Sequence, residues 1–253
     1  MNATSSNSES IHPEQNNVPV SLALPYTPSW PSEEFRKFYG LKRIMDVILS
    51  SIGLVLLLPV FLVVAIIIKL FSPGPVLFRQ QRLSIHERPF TLIKFRTMIH
   101  QAEAQTGPTW VQDEDSRITR IGHFLRKTHL DEMPQLWNVL IGEMSLIGPR
   151  PERPVFVKQF REQKIENYSC RHFFRPGITG YAQMLNPNPT IDQIQDKTDA
   201  DLWYVSNWSV KLELWLIKQT FFYFFKSLFK LAKKSHLHQA NQDKSLSNPH
   251  YEA

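Results

Sequence analysis

The longest apolar stretch of the chain covers residues 47–70, and Lys69 is its only charged residue. As an α-helix at 1.5 Å per residue it would be about 36 Å long, enough to cross the roughly 30 Å hydrocarbon core of a bilayer. Its apolar residues lie on every side, whereas a surface helix of a soluble domain is apolar on one side. The pattern therefore predicts a membrane-inserted helix, with a buried core helix as the alternative.

Pro59 divides this stretch into two halves of 12 residues. Because proline removes a backbone donor, we expect a kink there. Basic residues flank the stretch, with Lys42 and Arg43 before it and Arg79 after it, and the positive-inside tendency would keep both flanks in the cytoplasm. A re-entrant helix that returns on the same face satisfies both flanks. A proline-kinked span stays open as the alternative, since the residues alone do not decide.

Turn residues at 72–75 end the apolar stretch, and two β-rich segments follow at 76–82 and 89–98. The polar segment between them predicts a hairpin. Strand alternation in the second segment places Lys94 and Arg96 on one face. The chain after the hairpin is mainly helical in pattern, then rich in loop signals. These patterns predict an α+β fold with a small, mainly helical body.

A second amphipathic pattern covers residues 211–234. On a helical wheel all of its lysines fall within one arc of about 160°, opposite a cluster of aromatic residues. One interpretation is a helix packed on its own domain. The apolar stretch earlier in the chain favours the other, a helix lying in the membrane plane with its aromatic side toward lipid.

The charge of the chain is strongly asymmetric. It carries 29 Lys and Arg residues against 23 acidic ones, and all 29 lie after residue 35. An anionic partner is indicated: nucleic acid, a lipid surface or a phosphorylated substrate. Residues 1–35 and 235–253 are polar and are expected to be disordered tails. The single cysteine, Cys170, excludes an intramolecular disulfide and favours a reducing compartment such as the cytoplasm.

The densest set of charged side chains follows the hairpin. Leu136 and Val139 have helical spacing, and Pro134 is tolerated only in the first turn, so the helix is expected to begin around Asp131. Asp131 and Glu132 would then lie at its N-terminal end. One interpretation is capping, because carboxylates there accept backbone hydrogen bonds and complement the helix dipole.

Cations near this pair favour a second interpretation. They are Arg117, Arg120, Arg126, Lys127 and Arg150. Phosphoryl chemistry needs such a mixture, since guanidinium groups and a divalent ion offset the repulsion between an anionic nucleophile and a phosphate. A carboxylate can form an acyl phosphate while its neighbour holds Mg²⁺. Arg150 lies between two prolines, which suits phosphate binding by its planar guanidinium; an arginine on an ordinary surface turn stays open as the alternative. P-loop, Rossmann, zincin and serine-hydrolase motifs do not occur.

A series of motifs resembles the bacterial sugar transferases, which are monotopic polyprenyl-phosphate phosphoglycosyl transferases. The motifs are KRIMD at 42–46, the proline-interrupted apolar helix, KFRTM at 94–98, LDEMPQLWNV at 130–139, MSLIGPRP at 144–151 and RPGITG at 175–180. The resemblance implies a monotopic α+β sugar transferase domain at residues 36–234. Within it, a re-entrant helix would cover about 44–71, a catalytic body about 73–205 and an interfacial aromatic helix about 209–234.

The resemblance implies that a sugar 1-phosphate moves from a UDP-sugar to polyprenyl (undecaprenyl) phosphate, with release of UMP, to initiate exopolysaccharide, capsule, O-antigen or glycoprotein glycan synthesis. The expected location is the cytoplasmic face of the bacterial inner membrane. Asp131 would be the catalytic nucleophile that forms a covalent phosphosugar intermediate, and the catalytic Glu132 would help bind Mg²⁺. Substrate phosphates would be bound by four cations, Arg126, Arg150, Lys94 and Arg96, of which the last two have less certain roles.

One departure from the family is Leu58, which stands before the helix-breaking proline where the family often has Ser. The expected partners are a UDP-sugar, polyprenyl phosphate and membrane lipid; a homo-oligomer is left open, and no nucleic acid is expected. One rival function is a catalytically silent membrane-bound scaffold or regulator of the same fold, against which the intact Asp131–Glu132 pair argues. The other rival, a basic nucleic-acid binder, is disfavoured by the apolar stretch.

Overall fold

The structure is a computed structural model that describes residues 33–104, 107, 115–187, 189–224 and 226. Its α-helices are α1 (Glu33–Phe71), α2 (Arg120–Thr128), α3 (Leu136–Ile141), α4 (Pro154–Glu162), α5 (Tyr181–Leu185), α6 (Ile194–Ser206) and α7 (210–224). Its strands are β1 (Leu77–Leu83), β2 (Pro89–Phe95), β3 (Ser145–Ile147) and β4 (Gly177–Thr179). Short 3-10 helices cover Ile85–Glu87, Leu130–Gln135, Tyr168–Phe173 and Ile191–Gln193. The chain thus has the predicted α+β class.

The strands form two small sheets. β1 and β2 pair antiparallel, with Leu77 opposite Phe95, and this confirms the predicted hairpin. β3 and β4 pair in parallel, with Ser145 opposite Gly177. The predicted disordered tails fall largely on residues 1–32 and 235–253, which lie outside the described residues, whereas residues 33–35 belong to α1.

α1 begins at Glu33, ahead of the predicted start at about residue 44, and the acidic side chains of Glu33 and Glu34 in its first turn complement the helix dipole. The helical backbone continues through Pro59. Among the described residues, α1 is the one helix long and apolar enough to cross a membrane. Only 11% of its most apolar 18-residue window is buried in the protein, so it is not the buried core helix of the alternative interpretation.

Both ends of α1 are hydrogen-bonded to the same body. Near the start of the helix, Lys42 donates to the carbonyl of Ile147 in β3 (3.0 Å). Just after its end, Arg96 donates to the carbonyls of Ser72 and Pro73 (2.6 and 2.7 Å). The body that carries β3 and the hairpin is therefore attached to α1 near both ends of the helix.

Between these ends, α1 packs one face against the body and leaves the other exposed. Phe61 packs its ring edge-on against Phe95 of β2, with the centroids 5.5 Å apart, and Val64 and Ile68 are buried. Between residues 44 and 66 every exposed position of α1 is apolar, and these positions include Ile44, Ile48, Ile52, Val55, Leu58, Leu62 and Ile66. A long apolar surface is therefore available to lipid.

A buried carboxylate, Glu213, joins α7 to α1. It pairs with the ammonium of Lys42 and accepts hydrogen bonds from Tyr204 Oη (2.6 Å) and Trp208 Nε1 (2.9 Å). Arg43 donates to two main-chain carbonyls at the end of α3 (2.6 and 2.8 Å). Two of the basic residues that precede the apolar stretch, Lys42 and Arg43, thus bind groups of the protein itself.

Candidate active site

Asp131 and Glu132 lie in the 3-10 helix Leu130–Gln135, which joins α2 to α3. His129 ends α2 and begins this turn in the left-handed conformation (φ 55°). Pro134 lies inside the turn, and α3 begins only after it, so the sequence placed the start of the α-helix too early. Within the described residues no side-chain hydrogen bond caps the turn. The capping interpretation therefore does not account for the two carboxylates.

α2 is fixed against the end of the hairpin by a close backbone approach. A Cβ at Gly122 would lie 1.9 Å from the carbonyl oxygen of Thr97, so only glycine fits at this position. Arg126 lies one turn later on α2, and its Nε donates to Thr97 Oγ1 (3.0 Å). This contact holds the guanidinium of Arg126 close to the turn that carries Asp131.

The carboxylate of Glu132 is engaged by Arg150. Arg150 Nη2 donates to Glu132 Oε1 (2.6 Å), and Nη1 lies 3.4 Å from Oε2. Burial alone would raise the pKa of Glu132, but Arg150 outweighs it and holds this pKa below its ordinary range. Glu132 in turn raises the pKa of Arg150. Both groups therefore stay charged at neutral pH.

Asp131 has the opposite electrostatic environment. It is 5% exposed, and burial, followed by repulsion from Glu132, raises its pKa above the ordinary aspartate range. Lys94, Arg126 and Arg150 all act to lower this pKa, which identifies them as its neighbouring cations. Among the described residues, no side chain donates a hydrogen bond to Asp131. Two adjacent carboxylates driven apart in pKa are typical of a catalytic pair.

Lys94 reaches the pair from β2. Burial lowers its pKa to about 8, although Asp131 and Glu132 oppose this shift. The structure thus brings together five of the predicted site residues: Asp131, Glu132, Lys94, Arg126 and Arg150. Arg126 is close to the pair along the chain, whereas Lys94 and Arg150 are brought to it by the fold.

Arg96 is placed differently from Lys94. It follows the end of β2, is 5% exposed, and directs its two Nη atoms to main-chain carbonyls after α1. Its contact with a substrate phosphate stays a prediction. Arg117, another candidate cation, pairs with Asp115 (2.5 Å).

The carboxylates of the pair are also the candidate ligands for a metal ion. Within the described part of the chain, no group of three or more His, Cys, Asp or Glu side chains could hold a metal. Mg²⁺ at phosphate-transfer sites commonly uses one or two carboxylates together with substrate phosphates. Asp131 and Glu132 fit this limited donor set, and Mg²⁺ binding by Glu132 stays a prediction.

Sequence reasoning missed a cluster of charged side chains behind Arg150. Its members are Arg82, Glu152, Arg171, Lys197 and Asp201. The available signal was on α6, where Lys197 and Asp201 stand one turn apart among the buried residues Ile194 and Leu202. Charges on the buried side of a helix need partners, so this spacing pointed to an internal ion network.

Similarity to a protein family and to three relatives bears on what this site does. A family model described as bacterial sugar transferase matches residues 36–227. The UDP-N-acetylgalactosamine-undecaprenyl-phosphate N-acetylgalactosaminephosphotransferase of Aeromonas hydrophila is 43% identical over 181 residues, which cover 71% of this chain and 42% of the relative. The UDP-glucose:undecaprenyl-phosphate glucose-1-phosphate transferase of Escherichia coli (strain K12) is 40% identical over 185 residues, which cover 72% of this chain and 39% of the relative.

These two relatives are longer proteins, and the chain spans about two fifths of their length. A third relative matches over most of its own length. The exopolysaccharide production protein PSS of Rhizobium leguminosarum bv. phaseoli is 40% identical over 182 residues, which cover 70% of this chain and 91% of the relative.

Proposed function

Since this chain belongs to the bacterial sugar transferase family, we propose that it transfers a sugar 1-phosphate from a UDP-sugar to undecaprenyl phosphate and so begins exopolysaccharide or related glycan synthesis. The named activities of its relatives support these donor and acceptor classes. The observation that carries the proposal is the adjacent pair of buried Asp131 and partly buried Glu132, whose pKa values are driven in opposite directions beside three cations.

Asp131 is the nucleophile of the proposed reaction. Its carboxylate oxygen bonds to the phosphorus that carries the sugar, and the bond from that phosphorus to the bridging oxygen breaks, so that UMP leaves with the electron pair. An oxygen of undecaprenyl phosphate then bonds to the same phosphorus. The bond to Asp131 breaks, and the carboxylate is regenerated. The raised pKa of Asp131 supports this role, because a poorly stabilised carboxylate is the better nucleophile.

The cations around the pair offset the charge of the diphosphate. Arg150, whose side chain is 39% exposed, can hold Glu132 with one edge and reach a phosphate with another. Lys94 and Arg126 lower the repulsion that the donor phosphates meet as they approach Asp131. Glu132 would hold Mg²⁺, which supplies further neutralisation of phosphate charge when bound.

The proposed location is the cytoplasmic face of the bacterial inner membrane, with α1 as a re-entrant helix. The attachment of both ends of α1 to one body supports this topology, because a single body cannot lie on both sides of a bilayer. The exposed apolar face of α1 would contact acyl chains.

α7 is proposed as the interfacial helix. Its residues Phe221, Phe222 and Tyr223 are each more than half exposed, as expected for an aromatic face that meets lipid. The ring of Tyr223 lies 5.5 Å from the ring of His129, which precedes the catalytic turn. The interfacial helix would thus pass beside the site where the lipid-linked acceptor must arrive. Its predicted continuation to residue 234 lies outside the described residues.

The function is tested by following both products of the first step. We expect the detergent-solubilised protein to release UMP from at least one UDP-sugar in the presence of Mg²⁺ and undecaprenyl phosphate. With the donor alone, mass spectrometry of the quenched protein should find a sugar phosphate on the peptide that contains Asp131. Asp131→Asn should show neither, while Asp199→Asn, an exposed position on α6, should behave like the wild type.

Two outcomes would contradict the proposal. A folded protein that releases UMP from no UDP-sugar would favour the catalytically silent scaffold. Product formation by a protein that never carries the phosphosugar adduct would remove Asp131 as the nucleophile.

A further inference from the structure

The loop that carries Arg150 is fixed by main-chain contacts at both ends. The carbonyl of Pro149 accepts a hydrogen bond from the amide of Gly177 in β4 (2.9 Å). The carbonyl of Glu152 accepts one from the amide of Leu83 in β1 (3.2 Å). Strands from two different sheets therefore define where the loop begins and ends.

Side chains hold the two carbonyls between these ends. Arg171 Nη2 donates to the carbonyl of Arg150 (3.1 Å), and Arg82 Nη1 donates to the carbonyl of Pro151 (3.1 Å). Four consecutive carbonyls of the loop thus have donors from elsewhere in the fold. The contact from Arg171 is made to the residue whose own guanidinium pairs with Glu132.

Arg171 is itself fixed within a buried network. It is 3% exposed, and the nitrogen that contacts the loop also donates to Asp201 Oδ2 (2.6 Å). Its other terminal nitrogen donates to Tyr168 Oη (3.2 Å), and the guanidinium lies 5.2 Å from the centre of the Tyr168 ring. A planar guanidinium can make these contacts in a fixed geometry, whereas a lysine ammonium cannot.

The loop also sends one of its own side chains into this network. Glu152 is 5% exposed and pairs with Lys197, with further cationic contacts to Arg82 (3.6 Å) and Arg171 (4.0 Å). Buried ion networks are weak sources of stability, because apolar residues of similar volume often serve as well or better. Here two of the cations, Arg82 and Arg171, donate to carbonyls of the loop as well as pairing with buried carboxylates, and the contact with the loop is what a positioning role requires.

We infer that Arg171, oriented by Asp201, is a positioning residue for Arg150 and, through it, for Glu132. This inference rests on the proposed function of the Asp131–Glu132 pair. Arg171 acts from behind the loop and touches neither carboxylate of the pair. Its effect on turnover therefore has to pass through Arg150.

A double-mutant cycle on UMP release tests this dependence. Arg171→Lys keeps the charge but removes the fork geometry, and we expect kcat to fall about tenfold, since small displacements of positioning groups cost one to two orders of magnitude. In an Arg150→Ala background the same change should alter kcat by less than about twofold. Arg88→Lys is the matched control. It makes the same change at an exposed position between β1 and β2 and should leave kcat within about twofold of the wild type.

An equal fold-loss from Arg171→Lys in both backgrounds would overturn the inference, because Arg171 would then act independently of Arg150. If Arg171→Lys does not fold, Asp201→Asn replaces it in the same cycle with the same expected non-additivity. If the wild type releases no UMP, the proposed function fails. The inference is then decided by urea midpoints: the shift caused by Arg150→Ala should be smaller in the Arg171→Lys background, and equal shifts would contradict it.

Discussion

Lys42→Met tests how α1, the proposed membrane helix, is held to the body that carries the candidate site. Lys42 is 6% exposed, and its ammonium pairs with Glu213 and donates to the carbonyl of Ile147 (3.0 Å). The substitution leaves Glu213, itself 2% exposed, as a buried carboxylate without its counter-charge. Removing one partner of a buried ion pair destabilises a protein by about 3–5 kcal/mol. Because Tyr204 and Trp208 still donate to Glu213, we expect a loss near the lower end, about 3 kcal/mol.

The loss is measured by urea denaturation in detergent micelles, followed by tryptophan fluorescence. Lys37→Met, at an exposed position of the same helix, is the control and should change the free energy of unfolding by less than about 0.5 kcal/mol. The double variant Lys42→Met/Glu213→Gln should recover a large part of the loss, because a neutral amide needs no counter-charge. A single variant as stable as Lys37→Met, or a double variant no better than the single, would refute the reasoning.

Two further predictions concern the site and the topology. Lys94→Met should move the acid limb of the pH profile of UMP release to higher pH. Asp131 must be ionised to attack. Burial raises the pKa of Asp131 and Lys94 lowers it, so the loss of Lys94 should raise this pKa further. An unshifted acid limb would show that Lys94 does not influence the ionisation of Asp131. Lys37→Cys and Arg79→Cys, each in a Cys170→Ser background, should react with an impermeant maleimide from the cytoplasmic side only, as measured in inverted vesicles and spheroplasts. Reaction of the two positions from opposite sides would establish a span.

The parts of the fold that sequence predicted are those with local signatures. The apolar composition of residues 47–70 and the β-rich segments at 76–82 and 89–98 depend on neighbours in the chain, and the structure confirms a long apolar helix for the first and a hairpin for the second. Asp131 and Glu132 were found because proline and helical spacing mark the start of a helix. The 3-10 geometry there was not predicted, since the left-handed conformation of His129 leaves no pattern in the sequence.

Contacts between distant residues explain what sequence missed. Lys42 reads as a flanking charge, yet its partner Glu213 lies 171 residues later in the chain. Arg171 likewise reads as one of many basic residues, and only the packing of α6 brings Asp201 to it. A buried charged side chain needs a partner of opposite charge, whereas an exposed one does not. A single sequence does not show which distant residues form such pairs, so it does not distinguish the two cases.

The position of Arg150 is determined from two directions. On one side, α1 binds β3 through Lys42 at the carbonyl of Ile147, and β3 leads directly into the loop. On the other side, Arg171 holds the carbonyl of Arg150 itself. Arg150 pairs with Glu132. A displacement of either β3 or Arg171 should therefore also displace Glu132. α1 is therefore part of the framework of the candidate active site as well as the proposed membrane anchor, and weakening its attachment should lower turnover even where the protein remains bound to lipid.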